Sequence, residues 1–230
     1  MKSKKRVLAF LSIIPLLLSL TACSFGGIKT KKAFETSKEA YNCIETAYEI
    51  TNEMDSDIYE AWRAGIYDKS DIESGGVSSL ARKLNLSESD LKKGLTKAIL
   101  GDDYENHTTE DVQYIEDNLD VLLKVCDDKL GMSLFSLCVN GVVEAYKLNG
   151  KADEAQKNLE NAKGLMKTLS NDYSDYEHYP ALKDFYTTTS SYYDFCVNPT
   201  GSFEQLKSTL EDYRNKERDY KSDLDYVFED

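Results

Sequence analysis

Residues 32–68 constrain the fold more than any other stretch. Phe34, Tyr41, Ile44, Tyr48, Thr51, Ile58, Trp62 and the Gly65-Ile66 pair recur at steps of three, four or seven, with Glu, Lys and Asp between them. That spacing gathers the apolar side chains on one stripe of a helix, and so long a stripe needs other helices to cover it. The chain has 3 prolines and 12 glycines in 230 residues, too few for the many turns of a β-sandwich. The expected fold is therefore all-α: an elongated bundle of about four long helices, with a short helical corner after the first.

The later sequence extends this reading. Gly75-Gly76 breaks the first helix from the corner, where two short helices fit and Ser87 with Asp90 caps the second. After a polar loop at 101–107, Thr108 or Thr109 starts a helix lined by Val112, Ile115, Leu119, Leu122, Cys126, Leu130, Leu134, Leu137, Val142 and Tyr146. It is the most apolar stretch after the first 22 residues, which makes it the expected central helix, and Asn149-Gly150 ends it. A fourth helix begins at Lys151, and a last one follows the capping box of Ser202 and Gln205.

The chain opens with Lys2, Lys4, Lys5 and Arg6, followed by a run of 16 mostly apolar residues at 7–22. A basic segment, an apolar segment and small residues before a cleavage point form an export signal. Its end, Leu20-Thr21-Ala22-Cys23, resembles the lipobox of bacterial lipoproteins. The resemblance implies cleavage after Ala22, a diacylglyceryl thioether on Cys23, and a chain held by lipid to the extracytoplasmic face of the cell membrane. The apolar run, interrupted by Pro15, is shorter than the roughly 20 residues of a comfortable span. Residues 1–22 are thus expected as signal peptide, 23–31 as lipidated tether with Gly26-Gly27 for flexibility, and 32–230 as a single helical domain.

Loss of the signal takes four positive charges and moves the net charge from -13 to -17. Nucleic-acid binding needs cations against phosphates, so this balance argues against it. The string LARKLNLSESDLKKGL, at 80–95, looks like a helix-turn-helix unit, but a capped corner between bundle helices gives the same pattern. Residues 142–165 resemble one tetratricopeptide hairpin through Tyr146, Gly150, Ala155, Leu159 and Ala162. The positions about 34 residues to either side, Glu116, Val121, Asp128, Asp184, Thr189 and Cys196, do not continue an array.

No motif names a reaction. His107 and His178 lie in polar settings, there is no HExxH, GxSxG or phosphate loop, and the loop acids at 102–105 lack calcium-loop spacing. Asp102-Asp103 and Asp127-Asp128 read as solvated faces in a chain with 41 acidic residues. No catalytic residue, metal ligand or cofactor is expected. Cys43, Cys126, Cys138 and Cys196 read as small buried hydrophobes, with disulfide pairing between helices the alternative.

The oddest composition lies at 171–197, where Tyr173, Tyr176, Tyr179 and Tyr186 fall at helical steps and Pro180 kinks or opens a helix. Tyrosine offers contact area with a polar tip, so these four and Trp62 are the candidate ligand- or partner-contacting residues. Packing on a half-buried helix face or rim is the commoner role of such a stripe. The functional expectation is a non-catalytic interaction or structural module, facing an envelope or surface protein; the alternative is a small-ligand or solute binder with an aromatic pocket.

Overall fold

A computed structural model describes residues 25–228, so Cys23 and the signal lie outside the described residues. It is a helical bundle, and no strand occurs among the described residues. The described residues form eight α-helices: α1 Phe25–Tyr67, α2 Lys69–Ala81, α3 Glu88–Leu100, α4 Thr109–Val125, α5 Leu134–Leu148, α6 Lys151–Asp172, α7 Tyr179–Val197 and α8 Phe203–Phe228. None is long and apolar enough to cross a membrane.

The count of about four is too low, and the reason is local. The apolar steps Cys126, Leu130, Leu134 run through a real break: a π-turn at Cys126–Leu130 widens the helix, Gly131 turns at φ 64, and the Ser133 side chain caps α5 by accepting from the Ser136 amide. The expected central helix is thus α4 and α5. The corner likewise grows into α2 and α3, each 13 residues long. Gly76 leaves helical geometry at φ 61 inside α2, and Asp120 of α4 accepts from the Val77 amide at 2.9 Å to restart the ladder. The predicted caps form: Ser87 accepts from the Asp90 amide, Thr108 and Asp111 close a capping box, and Ser202 and Gln205 bond reciprocally.

α1 is the spine. Its 43 residues extend about 65 Å at roughly 1.5 Å per residue, and it packs against α2, α5, α6, α7 and α8. It already includes residues 25–31, the stretch assigned to a tether. Three core clusters share it. Met54, Ile58, Ala61 and Trp62 join α2–α5 in the largest, Ala40, Tyr41 and Ile44 join Met166, Leu182, Phe185 and Phe228 in the second, and Ala47 joins Ala155, Leu159 and Tyr193 in the third. α3 and α5 approach closely, so that a Cβ on Gly94 would stand 2.1 Å from the Gly141 carbonyl oxygen.

α8 is apolar at its ends, through Leu206, Leu210, Leu224 and Phe228, and polar in the middle. There Arg214 pairs with Asp55, and Lys221 pairs with Glu45 and, at 3.0 Å, with Asp225. Cys126, Cys138 and Cys196 are buried and Cys43 is half-buried; all four are free. Burial pushes the Cys138 thiol up to about 12, so it remains an inert core group.

Candidate functional site

The five aromatic residues singled out from the sequence go to three places. Trp62 is 5% exposed and belongs to the core, its ring stacked on Phe135 at 5.7 Å and tilted against Phe203 at 6.3 Å. It shares no groove with the tyrosines. Tyr173 and Tyr176, in the turn between α6 and α7, line a groove of about 380 Å³ against Lys29, Thr30 and Ala33 of α1. Lys29 is already matched there by Asp175 at 3.8 Å.

Tyr179 and Tyr186 make the third place, on α7 where it runs beside α6. Pro180 sits in the first turn of α7, where its missing amide costs nothing, and sets the register of the helix. Tyr179, Tyr186 and Tyr193 then follow one another every seventh residue along the side facing α6, over about 21 Å. Tyr193 is buried and its hydroxyl donates to the Ala152 carbonyl at 3.1 Å, which ties α7 to the start of α6. Tyr179 and Tyr186 are half-buried and leave ring surface open.

The groove between α6 and α7 has two compartments that share Glu160, Lys163 and Tyr186. One, about 450 Å³, surrounds Tyr193 and carries Asp153 and Asp194 as well as Lys147. The other, about 620 Å³, is floored by Met166, Tyr179 and Tyr186 and rimmed by Lys163, Lys167 and Lys183, with Glu160 the sole acid in its lining. All three lysines are exposed and enter no ion pair among the described residues. A cationic rim over an apolar aromatic floor suits an amphipathic anionic ligand, and it stands out on a chain with net charge -13.

A second set of functional groups, missed in the sequence, lies inside the bundle. Asp55 and Asp57 of α1 and Glu217 of α8 are at most 1% exposed. Asp57 accepts from the Asn85 amide at 2.9 Å, its side chain at 3.0 Å and the Tyr146 hydroxyl at 3.0 Å, so α1, α5 and the α2–α3 turn meet on one carboxylate. Asp55 accepts from Tyr192 and Arg214 through one oxygen, while the other has no partner among the described residues. Burial raises both carboxyls above the ordinary aspartate value, against the lowering effect of these donors. Tyr146 and Tyr192 are raised by burial and by the adjacent carboxylates. The sequence does hold one signal: Asp55 stands seven residues from both Tyr48 and Trp62, in the register of the buried stripe.

Asp102, Asp103, Asp127, Asp128 and His107 are exposed. Among the described residues no group of three or more His, Cys, Asp or Glu is placed to hold a metal ion. Compared with protein-family models, curated proteins and solved structures, the chain has no match to any of them.

Proposed function

We propose that the protein is a lipid-anchored extracytoplasmic lipoprotein whose helical bundle is a non-catalytic interaction module. In this reading the groove between α6 and α7 is turned toward an envelope or surface protein. The anchor rests on Leu20-Thr21-Ala22-Cys23: a diacylated, N-acylated Cys23 would carry enough chains for stable membrane attachment. The observation that carries the interaction role is the open compartment of Tyr179 and Tyr186 with three lysines that enter no ion pair among the described residues. The buried ionisable groups favour the same role, because Asp55, Asp57 and Glu217 are sealed in helix contacts where a substrate would not reach them.

The compartment's volume of about 620 Å³ also favours a second reading, a small anionic solute held on the tyrosine floor. The anchor is tested first. The full chain, expressed in a bacterium and fed an alkyne-tagged palmitate, is expected to incorporate label and lose residues 1–22. Cys23→Ala is expected to take no label and keep them; equal labelling of the two proteins refutes the anchor.

A further inference from the structure

Three helix-interior glycines mark places where another helix comes close. A Cβ on Gly65 would stand 2.4 Å from Phe135 Cα, one on Gly94 2.1 Å from the Gly141 oxygen, and one on Gly141 2.5 Å from Leu95 Cδ2. Each therefore has a structural reason within the bundle. Gly164 does not. It sits in the middle of α6, and a Cβ there would meet nothing within 4 Å. Glycine weakens a helix interior relative to alanine, so packing within the chain gives no account of it.

Its surroundings supply one. Gly164 lines the aromatic compartment between α6 and α7 and also a groove of about 490 Å³ between α1 and α6, where Cys43, Leu165 and Thr168 are its neighbours. It is therefore a low point in the ridge that α6 makes between two grooves. Lys163 adjoins it, Lys167 follows one turn later and Lys183 faces it across the groove.

We propose that an amphipathic helix of a partner protein, acidic along its flanks, crosses α6 at Gly164 and seats apolar side chains against Tyr179, Tyr186 and Met166. The inference deepens the interaction-module reading and rests on it. The missing side chain lets the partner's backbone approach α6 as α3 approaches α5 at Gly94. Tyr179 and Tyr186 lie two helical turns apart, the repeat at which a docked helix presents side chains from one face. Three lysines without ion pairs among the described residues specify the sign of the partner's flanks, on a chain that would otherwise repel an acidic segment.

The test uses the full-length protein in its native membrane, with a photo-crosslinking benzoylphenylalanine in place of Thr168 or Thr187, both exposed and one in each groove. A control carries it in place of Tyr114, an exposed residue of α4. Adducts at Thr168 and Thr187 are expected to map by mass spectrometry to an acidic amphipathic segment. A synthetic peptide of that segment is expected to bind less tightly as salt rises. Gly164→Leu is expected to weaken it about tenfold and the combined Lys163→Glu, Lys167→Glu, Lys183→Glu variant about a hundredfold, with circular dichroism unchanged. Adducts to glycan, lipid or a second copy of this chain overturn the proposal, as does a peptide indifferent to these substitutions. Adducts at Tyr114 alone overturn it while leaving the interaction-module reading standing; adducts at none of the three positions overturn both.

Discussion

Glu217→Gln should abolish a pH dependence of stability that the wild-type protein carries. The Glu217 carboxyl is fully buried, and its one hydrogen-bond partner among the described residues is the Thr189 hydroxyl, 3.0 Å from each of its oxygens. That hydroxyl also lies 2.9 Å from the Phe185 carbonyl one turn earlier in α7. A hydroxyl has one proton to donate. When Thr189 gives it to Phe185, the contact with Glu217 is satisfied only if the carboxyl brings its own proton and donates to Thr189 Oγ1. Burial accordingly pushes the Glu217 carboxyl from 4.5 up to about 8, a rise that the Thr189 contact only partly offsets.

The sign of the effect follows from proton binding. Between these two values the unfolded chain has lost the proton and the folded chain keeps it. The stabilisation is therefore complete below the unfolded value and is lost as pH rises through the folded one. Each pH unit inside the window changes stability by about 1.4 kcal/mol, so a rise from about pH 6 to about pH 8 should cost the wild type on the order of 3 kcal/mol relative to the variant. The side-chain amide introduced by Glu217→Gln retains an N–H donor for Thr189 and has nothing to titrate. Asp55 and Asp57 also have raised carboxyls and contribute with the same sign, but equally in both proteins. Urea unfolding of each protein, followed by circular dichroism across this range, measures the difference. Parallel pH profiles would refute a protonated Glu217.

Two glycine substitutions should move stability in opposite directions. Gly94→Ala puts a methyl group against the Gly141 carbonyl and the Ala145 amide, at 2.1 and 2.6 Å, so α3 and α5 must separate. A loss of about 3 kcal/mol is expected, read as a lower urea midpoint, and an unchanged midpoint would show that the two helices are not in this contact. Gly164→Ala meets open space and should raise stability by about 1 kcal/mol through helix propensity alone. Destabilisation there would mean that α6 is not a regular helix at that position.

The parts of the fold legible in the sequence are those decided by near neighbours. The stripe from Phe34 to Trp62 marks α1, and Ser87, Thr108 and Ser202 mark helix starts, because a cap is written within three or four residues. The break between α4 and α5 is hidden because Cys126, Leu130 and Leu134 keep helical spacing across it, although Gly131 and Ser133 carry the turn and the cap. Trp62 stands out as a contact residue in one dimension, but Phe135 and Phe203, which cover it, come from distant elements. Asp55 and Arg214 are 159 residues apart, so their pairing leaves no local trace. Tyr179 and Tyr186 are visible as a helical step; Lys163 and Lys167 are not, since they reach the same groove from another helix.

The length of α1 has a mechanical consequence. If the chain is anchored at Cys23 as proposed, tension would enter at the start of a helix that lies against five others over its course. Force from the membrane would then act as shear, spread over many side-chain contacts at once, instead of peeling one contact after another. A bundle hung from a short surface helix would open from that corner; this one would pass tension through its longest element to all three core clusters together.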